Sequence, residues 1–187
     1  MKVGIVPGTK ELRTERLLLR RHVMEDAMPL HEGFGIDPAM FEYSGWNPYA
    51  TPEMAERTVA EAIASYPDPH FYGWAIEHKK RLVGNIGAYD YDAKKNAVEI
   101  GVNIEKGSWG KGFATEALTT ILQYLSADEG IATITAWCAS DNIGSQRALE
   151  KARMEKVQVE KDALTIGNST FDKLWFEFHG EGTEQTA

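Results

Sequence analysis

The chain has 187 residues, of which 43% are hydrophobic and 26% are charged, a balance typical of one soluble globular domain. Its net charge of −8 argues against general binding to nucleic acid, which depends on clustered lysine and arginine, and is compatible with cationic substrates such as amines. No apolar run approaches the roughly 18 residues of a membrane span, and the single cysteine and five scattered histidines give no metal-ligand spacing.

Apolar spacing along the chain alternates between the two-residue period of strands and the 3.6-residue period of helices. Thr51 and Pro52 have the sequence of a helix N-cap and first helical position. The predicted elements, in chain order, are a strand at 16–20, a weak helix at 25–34, a helix at 51–64, strands at 71–77, 82–91 and 97–104, a helix at 114–127, a strand at 133–139, a helix at 143–151, and strands at 157–161 and 170–179. This order predicts a mixed sheet with helices on both faces.

Nothing in the sequence divides the chain, because it contains no internal repeat and no linker rich in Pro, Gly or Ser. Residues 1–13 lack the continuous apolar segment of a secretory signal. We therefore expect one cytoplasmic domain over residues 1–187, with no membrane or nucleic-acid partner and no metal. Residues 1–10 and the polar tail 180–187 are expected to be loose.

Residues 99–122 combine a strand, a glycine-containing turn and a helix. Such a turn directs backbone N–H groups to a helix N-terminus, where the helix dipole also favours an anion. Gly110 and Gly112 permit the positive φ or close approach that a phosphate-binding turn requires, and Lys111 adds a positive charge. A nucleotide P-loop is excluded because glycine follows Lys111 where Ser or Thr is required, and a dinucleotide fingerprint because Thr115 replaces its last glycine.

Residues 109–114, Trp-Gly-Lys-Gly-Phe-Ala, resemble the central [Q/R]-x-x-G-x-[G/A] motif of the GNAT acetyltransferase superfamily, with Trp in the first place. This form is similar to that of the Rim-type branch, bacterial enzymes that acetylate ribosomal-protein N-termini. Further landmarks of that branch match in order at residues 13–20 (RTERLLLR), 25–27 (EDA), 142–151 (NIGSQRALEK) and 171–172 (FD). The resemblance covers about residues 12–178.

The resemblance implies an α/β (α+β) GNAT fold, with a mixed, mostly antiparallel sheet splayed at its centre, and acetyl-CoA as co-substrate. The pantetheine arm is expected along the edge of strand 97–104, and the pyrophosphate on the loop amides that follow. Asn142 and Ser145 are expected near the thiol, although Asn142 also has the position of a helix N-cap. The expected cofactor-binding residues are Val102, Ile104, Trp109, Gly110, Lys111, Gly112, Phe113, Ala114, Thr115, Asn142 and Ser145.

Two side chains are candidates for proton transfer. Glu99 lies on the strand that leads into the loop, where the resemblance implies a carboxylate base, although a solvated strand face explains it about equally well. Ser145 is the candidate acid for the departing thiolate, because Leu149 stands where many relatives have a tyrosine; a locally bonded helix hydroxyl is the alternative. Cys138 lies on a predicted strand and is expected to be a buried apolar side chain rather than a nucleophile.

Two further features leave structural alternatives open. The family's K-x-G-F sequence is replaced by Lys-Ala-Arg-Met at residues 151–154, so either Arg153 adopts positive φ at a cost of roughly 1 kcal/mol or the helix ends differently. Four aromatic residues before the second helix either line an acceptor site or pack beneath the sheet, namely Phe41, Tyr43, Trp46 and Tyr49.

The function that this pattern favours is transfer of an acetyl group from acetyl-CoA to a primary amine, either a protein N-terminus or a small molecule. The alternative is a non-catalytic module that binds acetyl-CoA as a sensor or scaffold. The missing tyrosine and the altered K-x-G-F sequence favour that module, whereas Glu99, Ser145 and a complete glycine loop favour the enzyme. If the chain associates with itself, a homodimer is the expected assembly.

Overall fold

The computed structural model describes residues 7–180, so the predictions for residues 1–6 and 181–187 lie outside the described residues. Its strands are β1 (Leu12–Arg13), β2 (Leu18–Arg20), β3 (Tyr72–His78), β4 (Arg81–Asp92), β5 (Ala97–Ile104), β6 (Thr133–Ala139), β7 (Glu155–Ile166) and β8 (Ser169–His179). They form one sheet in the order β1-β2-β3-β4-β5-β6-β8-β7. All neighbours are antiparallel except β5 and β6, which are parallel.

The helices begin and end where the sequence places caps and apolar spacing. They are α1 (Ala27–Leu30), α2 (Pro52–Ser65), α3 (Phe113–Gln123) and α4 (Ile143–Lys151). The Thr51 hydroxyl accepts the Met54 N–H at 3.2 Å, which caps α2 as predicted. The weak pattern at 25–34 corresponds to a 3-10 turn, the short α1 and a π turn, and the predicted helix 114–127 ends in a second π turn at Tyr124–Asp128.

Helices cover both faces of the sheet, as predicted. Alternate residues of a strand point to opposite faces, and β3 shows this directly. Trp74 and Ile76 are buried in the cluster that includes α3 and α4, whereas Ala75 lies in the cluster of α1 and α2.

The sheet opens between β5 and β6. These strands pair only at Ala97↔Thr133, Val98↔Ile134 and Glu99↔Thr135, although β5 continues to Ile104 and β6 to Ala139. The structure describes every residue of both strands, so the β5–β6 pairing ends although each strand continues. The predicted splay at the centre of the sheet is therefore confirmed.

The prediction of a loose segment at residues 1–10 is wrong for its described end. The Thr9 hydroxyl donates to the Phe71 carbonyl at 2.9 Å and accepts the Gly73 N–H at 2.9 Å. The Trp74 indole N–H donates to the Lys10 carbonyl at 2.6 Å. These partners are more than 60 residues away in sequence, so no local pattern indicates that the segment is bound along β3.

Helix α4 ends in a left-handed turn at Arg153, whose φ is +67°. The Met154 N–H donates to the Leu149 carbonyl and the Arg153 N–H to the Glu150 carbonyl, both at 3.0 Å, which is the Schellman pattern. Leu149 and Met154 are both buried in the core, so their contact fixes the turn. Of the two alternatives for this helix end, positive φ at Arg153 is therefore confirmed.

We expect Arg153→Gly to raise the free energy of unfolding by about 1 kcal/mol, because glycine adopts positive φ without the Cβ clash. Urea denaturation of both proteins, compared at equal m values, measures the change. Arg147 is an exposed residue inside α4, where Arg147→Gly should instead lower stability by about 1 kcal/mol. An equal loss of unfolding free energy from Arg153→Gly and Arg147→Gly would contradict backbone strain at Arg153.

Candidate active site

The open side of β5 presents backbone groups to the splay. The Glu105 N–H donates to the Val83 carbonyl at 2.9 Å, which identifies this antiparallel pair as hydrogen-bonded. Hydrogen-bonded and non-hydrogen-bonded pairs alternate, so Val102 and Ile104 belong to the second kind and point their N–H and C=O groups away from β4. An extended amide-containing chain can pair with such an edge. The Trp109 indole N–H donates to the Ile104 carbonyl at 2.6 Å and covers the end of this edge.

The loop that follows β5 directs backbone amides toward one point. Gly110 and Gly112 have φ values of +73° and +79°, and α3 begins at the next residue, Phe113. The first three amides of α3, on residues 113–115, have no carbonyl acceptor within the helix. Free amides and the helix dipole at such a terminus favour a bound anion. Lys111 Nζ donates to the Gly107 carbonyl at 2.8 Å, which holds the turn together.

A charged latch, formed by Thr14, Arg16 and Glu116, fixes this loop to the start of β2. Glu116 accepts the Thr14 hydroxyl, the Arg16 N–H at 2.9 Å and the Arg16 Nε–H at 2.7 Å. The Arg16 guanidinium also donates to the Lys111 carbonyl at 2.8 Å and lies 4.9 Å from the centroid of Phe113. Burial alone would raise the pKa of Glu116, but the hydrogen bonds from Thr14 and Arg16 outweigh it and lower that pKa.

Sequence reasoning placed no functional residue in this latch. Both halves belong to stretches that carry the resemblance, residues 13–20 and the helix after the glycine loop, and they have opposite charge. The opposite charges of these two stretches were the feature of the sequence that could have indicated an ion pair between them. The contact itself spans 100 residues, so only the fold shows it.

We expect Arg16→Met to raise KM for acetyl-CoA about three- to tenfold with little change in kcat, because it removes the donor that holds the Lys111 carbonyl. The effect is limited because the Arg16 side chain is partly exposed. Steady-state kinetics with acetyl-CoA varied at saturating amine measures it. Arg13→Met is the matched control, since among residues 7–180 Arg13 pairs only with the exposed Glu11. An equal rise in both variants would show a general charge effect and contradict the latch.

Glu99 lies in the last β5–β6 pair before the splay, on the face away from α3 and α4. Its Oε1 accepts the Trp137 indole N–H at 2.8 Å. Tyr89 is the cross-strand neighbour of Glu99, and burial, the Glu99 charge and a hydrogen bond to Glu99 raise the pKa of Tyr89 well above its usual range. A Cβ at Gly101 would lie 3.0 Å from the Tyr89 hydroxyl, so glycine leaves room for that ring. The carboxylate is thus half-buried and oriented by the Trp137 indole N–H.

Asn142 and Ser145 lie at the start of α4. Asn142 Oδ1 accepts the Ser145 N–H at 3.1 Å, so the N-cap interpretation of Asn142 is confirmed. Within residues 7–180 the Ser145 hydroxyl has no protein partner, unlike the Thr119 and Thr120 hydroxyls, which bond to carbonyls four residues earlier. Leu149 is 5% exposed and belongs to the core.

The four aromatic residues before α2 have different environments. Tyr49 packs on the α1–α2 cluster, its hydroxyl accepts the Asn85 amide at 3.2 Å, and burial raises its pKa to about 12. Tyr43 meets Phe171 of β8 edge to face at 5.6 Å. Trp46 is 69% exposed. Packing beneath the sheet therefore explains Tyr49, whereas Tyr43 connects the segment before α2 to the β7–β8 hairpin.

Cys138 is buried in the sheet and does not have the exposed surroundings of a reactive thiol. Cys138 is 4% exposed, and burial raises the pKa of its thiol to about 11, which confirms a buried apolar side chain. Within residues 7–180 no three His, Cys, Asp or Glu side chains are grouped so that they could hold a metal ion. No helix in that range has the length and apolarity needed to cross a bilayer.

Known proteins resemble this chain in sequence and in fold. YoaA of Bacillus subtilis strain 168, described as an uncharacterized N-acetyltransferase, is 29% identical over 163 residues, covering 86% of this chain and 92% of YoaA. A GNAT-family acetyltransferase from Bacillus anthracis has a TM-score of 0.79 at 24% identity, covering 91% of this chain and 98% of its own. RimL, a ribosomal L7/L12 alpha-N-protein acetyltransferase solved with coenzyme A, has a TM-score of 0.83 at 16% identity with the same coverage.

The family comparison agrees with the site described above. The pattern of the acetyltransferase (GNAT) domain matches residues 16–155, which include Arg16 and Glu116 of the latch, the glycine loop and the whole of α4. The fold implied by the resemblance is present, with its splayed sheet and helices on both faces. The chain therefore belongs to the GNAT family and is an acetyltransferase.

Proposed function

We propose that this acetyltransferase moves the acetyl group of acetyl-CoA to a primary amine, with Glu99 as the base. The observation that carries the proposal is the Glu99 carboxylate, held by the Trp137 N–H and next to Tyr89, beside the opening of the sheet. RimL, which shares the fold, was solved with coenzyme A and is described as acetylating a protein α-amine. The curated relatives are N-acetyltransferases by description, which supports an amine acceptor.

The residues present fit acetyl-CoA, which supplies an activated acetyl thioester when bound. The backbone groups of Val102 and the N–H of Ile104 face the opening and would pair with the amides of the pantetheine arm, whereas the Ile104 carbonyl receives the Trp109 indole N–H. Amides of the loop and first turn of α3 would receive the pyrophosphate. The predicted loop residues Trp109, Gly110, Lys111, Gly112, Phe113, Ala114 and Thr115 are thus proposed as cofactor-binding, with Asn142 and Ser145 beyond them.

Glu99 would take the proton that the acceptor ammonium must lose before its nitrogen can attack a carbonyl. The Trp137 N–H restricts the orientation of the carboxylate, and a fixed base accepts a proton more effectively than a mobile one.

Ser145 is the proposed acid for the departing thiolate, because its hydroxyl has no protein partner among the described residues. We expect Ser145→Ala to slow transfer from acetyl-CoA about tenfold or more, and to slow transfer from an aromatic thioester much less, since an aromatic thiolate leaves without a proton. Pre-steady-state rates with both donors measure the difference. Equal losses with the two donors would remove Ser145 as the acid and assign it to binding.

The proposed function is tested by thiol release from acetyl-CoA across a panel of amines that includes small monoamines, diamines, amino sugars and short peptides with free N-termini. Product mass identifies the acetylated nitrogen. Peptide acetylation at the α-amine would establish a protein acceptor, and acetylation of small amines alone would establish a small-molecule acceptor. Tight binding of acetyl-CoA without transfer to any amine would overturn the proposal.

A further inference from the structure

Two indole rings and a lysine lie beside Glu99 on the same face of the sheet. Trp137 of β6 and Trp175 of β8 are directly opposite each other. Lys173 Nζ lies 4.7 Å from the centroid of Trp137 and 4.0 Å from that of Trp175. Trp137 therefore contacts a cation with its ring face while its N–H donates to the Glu99 carboxylate at 2.8 Å.

The ammonium of Lys173 is held by these rings and not by a carboxylate. Lys161 on the neighbouring strand forms an ion pair with Asp172 at 2.7 Å, but within residues 7–180 Lys173 forms none. Glu160 lies directly opposite Lys173 across β7 and β8 and still does not pair with it. Lys173 is half-buried, and a partly desolvated ammonium over two indoles is a favourable cation–π arrangement. The two rings are thus a site that accepts an ammonium group.

We infer that Trp137 and Trp175 form a cation subsite for the acceptor, which Lys173 fills when no acceptor is bound. The acceptor is then an amine that carries a second positive charge. This inference rests on the proposed function, in which Glu99 receives the proton of the reacting nitrogen. Trp137 joins the two positions, since its N–H lies 2.8 Å from Glu99 Oε1 and its ring centroid 4.7 Å from Lys173 Nζ, so a cation over the rings would be one indole away from a nitrogen at Glu99.

A small diamine and a peptide with a basic side chain beside its N-terminus both provide two charges at such a spacing. In each case the second ammonium displaces Lys173 from the rings, and the Lys173 side chain moves to solvent. A monoamine gains nothing from the rings, because it carries no second cation. Discrimination between matched acceptors with one and two charges is therefore the property to measure.

The test compares putrescine, a diammonium, with n-pentylamine, which has a methyl group in place of the second ammonium. Lys173→Met keeps a similar stem and removes the competing cation. We expect this variant to lower KM for putrescine about three- to tenfold relative to n-pentylamine, the range of a cation–π contact. Lys94→Met removes the same charge from an exposed turn after β4 and should leave both KM values unchanged.

Trp175→Leu should remove the preference for putrescine, since one ring of the pair is lost. Trp175 is chosen because Trp137 also orients Glu99. If Trp175→Leu fails to fold, calorimetry of putrescine and n-pentylamine binding to Lys173→Met, with coenzyme A present, still decides the question. Equal affinity for the two amines, or equal KM changes for both, would overturn the cation subsite.

The same design separates this inference from the proposed function. Putrescine-selective binding without acetyl transfer to any amine would overturn the function and keep the subsite. The peptides Ala-Lys and Ala-norleucine form a second matched pair. Selectivity within the peptide pair assigns the second cation to a polypeptide acceptor, and selectivity within the amine pair assigns it to a small diamine. No selectivity in either pair would overturn the inference.

Discussion

Replacement of Glu99 by glutamine is expected to lower turnover about 10²- to 10⁴-fold and to leave the affinity for acetyl-CoA largely intact. Glutamine keeps an oxygen that can accept the Trp137 N–H but cannot take a proton from the acceptor. Stopped-flow measurement of thiol release, with calorimetry of acetyl-CoA binding, separates the two quantities.

Glu177→Gln is the matched control for this change. Glu177 on β8 pairs with Thr135 on β6, and Thr135 pairs with Glu99 on β5. Glu177 and Glu99 therefore lie in one row across the sheet. Glu177 pairs with His179 and contacts neither Trp137 nor Tyr89 through a hydrogen bond. Its loss should change turnover little. An unchanged rate and pH profile in Glu99→Gln would assign Glu99 to the solvated face of a strand.

Replacement of Gly112 by valine is expected to weaken acetyl-CoA binding by at least about tenfold, because the loop amides can no longer converge on the pyrophosphate. Gly112 has a φ of +79°, which a β-branched residue strongly disfavours, and it immediately precedes α3. Calorimetry with coenzyme A measures the loss. Circular dichroism and thermal denaturation show whether the variant is folded.

Gly107→Val is the matched control in the same loop. Gly107 does not have positive φ, and a Cβ there would meet no atom within 4 Å. The variant should bind coenzyme A like the parent protein. Equal losses at Gly107 and Gly112 would indicate general disruption of the loop, and undiminished affinity in Gly112→Val would refute the loop as the pyrophosphate site.

The sequence by itself determined the features that depend on neighbouring residues. Strands β5 and β6 and helix α4 have the predicted bounds, because alternation, helical spacing and the Asn142 cap act within a few residues. The positive φ values of Gly110 and Gly112 follow from the same local chemistry. The glycine loop and its family were therefore predictable before any coordinates.

Only the tertiary structure decided which side chains meet. The Arg16–Glu116 latch spans 100 residues and the Trp137–Glu99 hydrogen bond spans 38, and both depend on the strand order of the sheet. Lys173 lies over two indoles and not beside Glu160, although the register places that carboxylate opposite it. Spacing along the chain carries no information about such contacts, because strand register and the direction of each side chain are fixed by packing across the whole sheet.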